Sequence, residues 1–281
     1  MGRQTSIAAA AWVAAVLLGA SVTAAAEGQV AKYVRFRAGD VTAYGVLEGG
    51  LVRQLEGSPF AAVKPTDKTY PLAEVKLLVP TRPKNVLAAA GNYKSHLRDQ
   101  PPHEHPELFL KPVSCLIPDG ARVVLPKGSS RIDAEAELVI VIGKRAKKVP
   151  MDKAMDYVFG VTCGADISAR DWQDNDVQWW RAKGTDTFGP CGPYIVSGID
   201  YDNLMLRGRV NGEVTQEQST ADMVHGVAAM VSYASQYVTL EPGDLIFTGT
   251  PGQTPQLKPG DMIEVEIEHV GVLKNPVVGA K

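Results

Sequence analysis

The residues best suited to chemistry stand in one short alternating segment. Within residues 132–142, Glu135 and Glu137 are separated by a single alanine, and apolar residues follow them. Because successive side chains of a β-strand point to opposite faces, we expect both carboxylates on one face of a strand. Adjacent carboxylates repel each other, and a divalent cation removes that cost by placing positive charge where they converge. The segment therefore predicts a metal site if its acidic face is enclosed.

The alternative is a strand whose polar face lies in water, and the chain contains a second segment of that type. In it, three glutamates alternate with apolar residues: Glu264, Glu266 and Glu268. The first segment differs because Val139 and Val141 continue its acidic face, so the two carboxylates do not begin a longer polar stripe. The alternation by itself leaves both interpretations open.

A third carboxylate follows a second apolar segment. Residues 157–163 are typical of a buried strand, Asp166 lies just beyond its end, and residues 168–171 resemble a capped helix start. Three oxygen ligands without histidine or cysteine favour a hard cation, Mg²⁺ or Mn²⁺, over zinc or copper. Magnesium keeps water at its remaining positions, where a substrate with two oxygens would chelate.

Two further groups are candidates for acid–base and electrophilic roles. His96 and Asp99 are three residues apart, so on a helical turn the carboxylate would orient the imidazole and raise its basicity. Lys183 follows Trp179 and Trp180, and partial desolvation there would suit an electrophilic role. The alternatives are a surface contact for the first pair and a lysine stem lying over aromatic surface for the second.

The elements that must position these groups include more strands than helices. Three short runs separated by glycine turns, at 33–37, 42–47 and 51–55, predict a small β-meander. Prolines between residues 59 and 83 connect it to a larger part, which gives a small β-rich N-terminal domain at 27–80 and a second domain at 81–281.

The larger part contains a hairpin and a helix. Asn211-Gly212 between two strand-like runs is the strongest short hairpin signal, and Thr220 is expected to cap a following helix with one buried face. No βαβ alternation is present. We therefore predict an α+β fold with a large mixed or antiparallel sheet.

The first 26 residues are typical of a secretory signal. Arg3 precedes an uncharged, alanine-rich run at 7–18, and Ala24 to Ala26 before Glu27 fit a cleavage site. The run is too short to span a bilayer, which requires about 20 residues. We expect an exported, periplasmic protein without a membrane anchor after cleavage; an alanine-rich leader or an uncleaved anchor is the alternative.

Composition excludes some functions. The 281-residue chain has 29 Lys plus Arg against 31 Asp plus Glu, so no excess positive charge exists to bind nucleic acid. Cys115, Cys163 and Cys191 form no C-x-x-C pair, which gives no support to zinc or thioredoxin-like chemistry. We expect three buried thiols, with one disulfide and one free thiol as the alternative.

Several of these segments resemble, in order, the motifs of the fumarylacetoacetate hydrolase family. The resemblance extends from about residue 86 to about residue 268 and rests on seven blocks: Gly91-Asn92-Tyr93 with His96, Phe109 to Pro112, Glu135 to Leu138, Asp166 to Gln173, Lys183 to Pro193, Asn211 to Glu213, and Pro242 to Asp244 leading to Thr248 to Pro251. It implies the mixed β-roll of that family, preceded by the small β-rich domain, and a homodimer or higher oligomer.

The resemblance also implies roles for individual residues. The metal ligands for Mg²⁺ or Mn²⁺ would be Glu135, Glu137 and Asp166. The catalytic residues would be His96, Asp99 and Lys183, and the substrate-binding residues would be Arg170, Gln173 and Thr250. Two features depart from the family: Asp99 stands where many relatives have glutamate, and the loop at 252–256 follows a displaced glycine, Gly252.

The implied reaction is hydrolysis of a C–C bond in a 2,4-diketo acid, of the acylpyruvate or fumarylacetoacetate type, through a metal-stabilised enolate. The same site would serve isomerisation of a 2-hydroxymuconate-type diacid or decarboxylation of oxaloacetate. In each case the partner is a small keto acid or dicarboxylate. Residues 97–108 are expected to form a mobile lid. An exported binding protein without turnover is the remaining alternative.

Overall fold

The computed structural model describes residues 30–97 and 99–281. The leader predicted at 1–26 lies outside these residues. Within the described ranges, no helix has the length and apolar character needed to cross a membrane.

The N-terminal part consists of short strands that confirm the predicted meander. They are β1 (Ala31–Ala38), β2 (Val41–Glu48), β3 (Leu51–Leu55), β4 (Pro65–Pro71) and β5 (Lys76–Leu77). Strands β1 to β4 pair antiparallel with their sequence neighbours. Val34, Phe36 and Val52 are buried in a small apolar cluster between them.

The rest of the chain contains fourteen strands and four helices among the described residues. The first half comprises β6 (Val86–Ala90), α1 (Lys94–Leu97), β7 (Glu107–Leu110), β8 (Leu116–Ile117), β9 (Val123–Leu125), β10 (Ile132–Asp133), β11 (Ala136–Ile142), β12 (Val158–Ala165) and β13 (Ser168–Ala169). The second half comprises α2 (Arg170–Asn175), α3 (Trp180–Gly184), β14 (Gly189–Ser197), β15 (Met205–Val210), β16 (Glu213–Ser219), α4 (Val227–Tyr237), β17 (Leu245–Phe247), β18 (Met262–Ile267) and β19 (Gly271–Gly279). Single 3-10 turns lie at Leu72–Glu74, Val113–Cys115 and Thr220–Asp222, and a longer one at Met151–Tyr157.

These strands form a mixed sheet of twelve strands and a second sheet of five. The larger sheet has the order β4-β3-β2-β1-β14-β12-β11-β17-β6-β7, with β5 added to β1 and β8 to β14. The smaller sheet has the order β16-β15-β18-β19-β9, and β10 pairs with β13. Most neighbours are antiparallel, while β17 with β6, β14 with β8 and β19 with β9 are parallel. The predicted α+β class with a mixed sheet is confirmed.

The N-terminal strands extend the main sheet. Ala31 to Tyr33 in β1 pair with Ser197 to Ile195 in β14, so the meander continues the sheet that carries the acidic segment. The domain boundary near residue 81 stays a prediction.

Strand β11 lies inside the large sheet and is buried on both faces. Its even-numbered residues, from Ala136 to Ile142, belong to the largest apolar cluster. Val139 and Val141 face a second cluster, which includes Phe247 and residues of the N-terminal strands. Because side chains alternate along a strand, Glu137 shares this second face with Val139. The acidic face is therefore enclosed by protein.

The helix predicted to begin at Thr220 begins later. The Thr220 hydroxyl donates to the carbonyl of Tyr201 and accepts from the amide of Leu204, so it fixes a 3-10 turn and does not cap α4. Helix α4 starts at Val227, whose amide donates to Asp202 at 2.9 Å. The predicted buried face is present and contains Val227, Met230, Val231, Ala234 and Ser235.

The two remaining expectations about local structure are confirmed. Asn211 and Gly212 both adopt positive φ, at 54° and 83°, and join β15 to β16 as a hairpin. Cys115, Cys163 and Cys191 are free and buried. Burial raises the pKa of the Cys163 thiol to about 12.

Candidate metal centre and active site

The antiparallel pair β11 and β12 brings three carboxylates together. Glu135 immediately precedes β11, Glu137 lies within it, and Asp166 directly follows β12. Ala136 pairs with Ala165, and the amide of Asp166 donates to the carbonyl of Glu135 at 2.9 Å. Each side chain offers an oxygen to a common site in which these atoms lie within 4.8 Å of one another.

Burial and repulsion by like charges make Glu137 the carboxylate of this triad that is most costly to ionise. It is fully buried, and its Oε2 accepts a hydrogen bond from the amide of Gly249 at 2.8 Å. Its Oε1 is buried and has no hydrogen-bond partner within residues 30–97 and 99–281. Burial, then the charges of Asp166 and Glu135, raise the pKa of Glu137 well above its usual range. A positive group is needed here, since a buried unpaired carboxylate oxygen is costly.

The donor set fits a divalent metal. All three candidate ligands are carboxylates, which suit Mg²⁺ or Mn²⁺ better than zinc or copper. The unpartnered Oε1 of Glu137 is the ligand position that no protein donor fills. Among the residues described, this is the one group of three or more candidate ligands.

Two buried lysines neutralise part of this charge. Lys183 is 3% exposed, and its Nζ donates to Glu135 Oε2 at 2.6 Å and to Asp166 Oδ2 at 2.9 Å. Lys111, also 3% exposed, donates to Asp166 Oδ1 and to the carbonyls of Lys183 and Phe188. Burial alone would lower the pKa of Lys111, but the charge and hydrogen bond of Asp166, together with Cys115 and Glu137, leave the pKa raised. Lys111 is therefore held as an ammonium.

Lys183 lies where its sequence context placed it, in a dehydrated environment beside aromatic rings. Its Nζ is 5.6 Å from the ring centre of Phe109, which packs edge-on against Trp179. The ammonium itself contacts carboxylates, so this lysine does more than cover an aromatic surface with its stem.

Arg170 is nearly fully engaged by the protein. Its Nε donates to Asp133, its Nη1 to Gln173 Oε1 at 2.9 Å, and its Nη2 to both Glu135 and Thr254. Four of its five N–H donors are thus used, and one on Nη1 remains for a ligand. Burial would raise the pKa of Glu135, but the charges of Lys183 and Arg170 together hold it below its usual range. The structure brings Arg170 and Gln173 together at the edge of the triad.

Thr250 lies beside the triad, but its hydroxyl is already committed. It donates to the carbonyl of Ala136 at 2.8 Å and accepts from Gln216 Nε2 at 2.8 Å. The hydroxyl therefore joins the segment after β17 to β11. Its predicted role in substrate binding stays a prediction.

The predicted pairing of His96 with Asp99 is not formed. Within the described ranges, no hydrogen bond or ion pair joins the two residues. Helix α1 ends at Leu97, and Asp99 lies exposed in the turn that follows, so the spacing of three residues no longer places both side chains on one helical face. His96 Nδ1 instead lies 2.6 Å from the carbonyl oxygen of Gly252.

This contact determines which nitrogen of His96 is free. A carbonyl oxygen only accepts hydrogen bonds, so Nδ1 must carry the proton and Nε2 keeps its lone pair in the neutral ring. Nε2 lies 3.9 Å from Glu135 Oε1. The imidazole therefore presents a proton acceptor to the triad.

The segment predicted as a lid packs against α4. His225 Nε2 donates to the carbonyl of His103 at 3.0 Å, and the ring of His105 stacks on Tyr233 at 5.5 Å. Residues 107 and 108 belong to β7 and not to a loop. Arg98 lies outside the described residues, and the mobility of the lid stays a prediction.

Sequence reasoning missed three residues that hold this site. Lys111 was included in a family motif but given no role, although a lysine that directly follows the apolar Phe109-Leu110 was a signal. Asp133 is fully buried and accepts from Arg170 and Thr254. Gln216 fixes Thr250 and the carbonyl of Pro251. These contacts join residues that are 34 to 121 positions apart in the chain, so the spacing of residues in the sequence could not reveal them.

Two family models match the chain. The model described as fumarylacetoacetate (FAA) hydrolase C-terminal matches residues 84–278, and the model described as Rv2993c-like, N-terminal, matches residues 31–80. The chain belongs to the fumarylacetoacetate hydrolase family. Members of this family are enzymes that include isomerases, hydrolases and tautomerases.

Relatives cover most of the chain. Protein Rv2993c of Mycobacterium tuberculosis is 40% identical over 257 residues, which is 87% of this chain and 97% of the relative. The mitochondrial oxaloacetate tautomerase FAHD2A of Bos taurus is 43% identical over 223 residues, 74% of this chain and 71% of the relative.

Solved structures of this family share the fold. A 5-carboxymethyl-2-hydroxymuconate delta-isomerase from Mycobacterium smegmatis superposes with a TM-score of 0.85 at 38% identity, covering 89% of this chain and all of that one. A maleylpyruvate hydrolase from Sphingobium sp. SYK-6, in complex with manganese(II) and pyruvate, gives 0.74 at 28% identity over 89% of this chain and 100% of that chain.

Proposed function

We propose that this protein is a divalent-metal-dependent hydrolase that cleaves a C–C bond in a 2,4-diketo acid such as an acylpyruvate. The observation that carries the proposal is the position of His96 Nε2, a free proton acceptor 3.9 Å from Glu135 Oε1 at a buried carboxylate triad. A base beside a cation site is the arrangement that water-driven cleavage needs.

Glu135, Glu137 and Asp166 would hold Mg²⁺ or Mn²⁺. When bound, the metal supplies the positive charge that stabilises adjacent oxygens of a 2-oxo acid and of its enolate. The unpartnered Oε1 of Glu137 supports this assignment from the protein side. The manganese and pyruvate bound to the maleylpyruvate hydrolase relative support it from the family.

The chain's own residues would perform the proton transfers and stabilise charge. His96 Nε2 takes a proton from a water that attacks the carbonyl distant from the carboxylate. The C–C bond then breaks, and its electron pair passes to the pyruvate fragment as an enolate, which takes up a proton to give pyruvate beside a carboxylic acid. Lys183, an ammonium enclosed by protein, favours the negative charge that develops on the enolate oxygen.

The test uses protein from residue 27 onward, stripped with chelator and reloaded with Mg²⁺ or Mn²⁺. Acylpyruvate loss is followed by ultraviolet absorbance and pyruvate by a coupled assay. We expect metal-dependent turnover that falls by roughly 100-fold or more in His96→Gln, as for loss of a general base. His269→Gln is the matched control, because His269 lies outside the triad with a 64% exposed side chain, and it should keep its activity. Equal turnover by His96→Gln, or none by the wild type, would refute the proposal.

The second candidate is an isomerase or tautomerase that uses the same enolate. Two observations favour it: Asp99 does not support His96, and relatives of 38–43% identity are named isomerase and tautomerase, whereas the hydrolase relative is 28% identical. Isomerisation and tautomerisation need a base that moves a proton to or from carbon, and His96 Nε2 would serve as that base without activating a water. Exchange of the C3 hydrogens of oxaloacetate in D₂O, read by NMR without pyruvate release, would identify this activity.

Release of pyruvate from oxaloacetate alone would instead identify a decarboxylase. Metal binding without turnover of an acylpyruvate, oxaloacetate or a 2-hydroxymuconate-type diacid would leave the exported binding protein. Each substrate is therefore assayed on the same metal-loaded preparation.

We also propose export to the periplasm and assembly as a homodimer or higher oligomer. Export rests on the leader pattern at 1–26, and oligomerisation on the family resemblance. N-terminal sequencing of protein from the periplasmic fraction should begin near Glu27, and light scattering should give a mass of two or more chains. An intact leader in the cytosol would refute the first proposal, and a monomer the second.

A further inference from the structure

The loop at 252–256 contacts the predicted base. The carbonyl of Gly252 accepts from His96 Nδ1 at 2.6 Å and thereby fixes the protonated nitrogen. Sequence reasoning gave this orienting role to Asp99, which is exposed and forms no hydrogen bond or ion pair with His96 in the part of the chain that the structure describes.

Gly252 is itself held from the helix that carries His96. Its amide donates to Ser95 Oγ at 3.0 Å, and the same hydroxyl donates to Gln218 Oε1 at 2.6 Å. Gly252 has φ of 60°, a conformation that glycine adopts without steric cost. Both polar groups of its backbone therefore contact neighbouring residues of α1, and the loop and the helix fix each other.

The same loop contacts the predicted substrate-binding arginine. Thr254 Oγ1 donates to Asp133 Oδ2 at 2.7 Å and accepts from Arg170 Nη2 at 2.8 Å. Arg170 Nη2 also donates to Glu135 at 2.6 Å. The Thr254 hydroxyl thus helps Asp133, Gln173 and Glu135 to fix the plane of the guanidinium beside the carboxylate triad, since a charged hydrogen bond is both strong and directional.

We infer that the 252–256 loop positions both His96 and Arg170, with Ser95 and Thr254 as positioning residues, and that it takes the orienting role expected of Asp99. The functional meaning rests on the proposed function, because it assigns proton transfer to His96. The positions of the two side chains do not depend on that function, since the His96 tautomer and the orientation of the Arg170 guanidinium exist without turnover.

The first experiment measures the His96 tautomer. In Mg²⁺-loaded protein labelled with ¹⁵N-histidine, long-range ¹H–¹⁵N spectra distinguish a ring protonated at Nδ1 from one protonated at Nε2. His96→Gln identifies the His96 signals among the five histidines of the chain. We expect the Nδ1-protonated form in the wild type, a mixture in Ser95→Ala, and an unchanged spectrum in Asp99→Ala. Ser95 is exposed, so this variant should fold.

A wild-type ring protonated at Nε2, or a tautomer that responds to Asp99→Ala and not to Ser95→Ala, would overturn the inference. This result is independent of whether any acylpyruvate is turned over. Failure of the hydrolase proposal and failure of the loop inference are therefore distinguishable.

The second experiment measures oxalate binding to the Mg²⁺-loaded protein by calorimetry. Oxalate presents two adjacent oxygens, as an enolised 2-oxo acid does, and is not consumed. Thr254→Val should weaken it about tenfold because Arg170 loses a charged hydrogen bond, while Thr254→Ser should stay within about twofold because it keeps the hydroxyl.

Thr66→Val is the control for the loss of a partly buried threonine hydroxyl far from the triad, since Thr66 contacts Gln54 in the N-terminal meander. Its oxalate affinity should match the wild type. Unchanged binding in Thr254→Val, or a loss that Thr254→Ser does not repair, would remove Thr254 from the inference.

Discussion

Strands β11 and β18 carry glutamates in the same alternating pattern, yet their surroundings differ. Glu135 and Glu137 are 4% and 0% exposed, and they converge with Asp166 on one point. Glu264 and Glu266 lie in the five-stranded sheet, with side chains that are 17% and 31% exposed. The pattern is local, whereas the position of the strand in its sheet decides whether water reaches the carboxylates.

The partners of the two sets differ in the same way. Glu264 pairs with Lys274 directly opposite on β19, at 2.8 Å, and Glu266 pairs with arginines on β15. Each of these carboxylates has its own cation. In the triad, by contrast, Glu137 has no cationic hydrogen-bond partner among the described residues, and its Oε1 has no hydrogen-bond partner among them. Buried carboxylates whose negative charge is not matched by nearby cations favour a bound metal. Surface carboxylates that each have a cationic partner do not require one.

The largest expected difference concerns metal affinity. Glu137→Gln should weaken Mg²⁺ binding by about 100-fold or more, since even partners of ligands cost 10- to 100-fold when lost. Glu266→Gln should bind Mg²⁺ like the wild type. Titration calorimetry on both variants checks this, and equal affinities would contradict the assignment of Glu137 as a ligand.

The second largest effect is expected on stability, when a buried cation is removed. Lys111→Met leaves Asp166 Oδ1 without its ammonium, and breaking a buried pair in this way costs about 3–5 kcal/mol. Lys274→Met removes the partner of Glu264 at the surface and should cost less than about 1 kcal/mol. Urea unfolding of the two variants measures both. Similar losses would mean that the triad is as well hydrated as β18.

Chelation should have a smaller effect on stability. A ligand present at 100 times its dissociation constant stabilises the folded state by about 2.7 kcal/mol, so adding chelator should lower the melting temperature by roughly 5–10 °C. Differential scanning fluorimetry with and without chelator tests this. Glu266→Gln should respond to chelator as the wild type does, and Glu137→Gln should respond little. A wild-type protein that melts at one temperature in both conditions would count against a resident metal.

The smallest effect is expected for a surface pair. Glu264→Gln should cost less than about 1 kcal/mol at low salt. The cost should disappear in about 1 M NaCl, where the screening length is only about 3 Å. Urea unfolding at the two salt concentrations, with the Lys111→Met variant as a salt-insensitive reference, measures it. Persistence of the cost at high salt would show that Glu264 acts through packing.

Much of the acidic segment was predictable because a strand has a period of two. The alternation placed Glu135 and Glu137 on one face with Val139 and Val141, and the structure has that arrangement. The hairpin at Asn211-Gly212 was predictable for a similar reason, since a two-residue turn with positive φ depends on local chemistry.

The pairing of His96 with Asp99 was wrong because it assumed that the helix continues. Helix α1 has four residues, so the turn that follows directs Asp99 to solvent. The group that occupies the expected position is a backbone carbonyl 156 residues away, at Gly252. Every residue has a backbone carbonyl, so the type of residue at position 252 could not have indicated this contact.

The sequence by itself determined the chemistry that is available: three carboxylates, a histidine, two lysines and an arginine, within motifs of one family. It also determined which of these share a strand face, because that depends only on neighbouring residues. The tertiary structure decided which carboxylates are enclosed, which lysines neutralise them and which nitrogen of His96 is free. Those properties depend on dehydration and on contacts between residues far apart in the chain, and neither is encoded in local spacing.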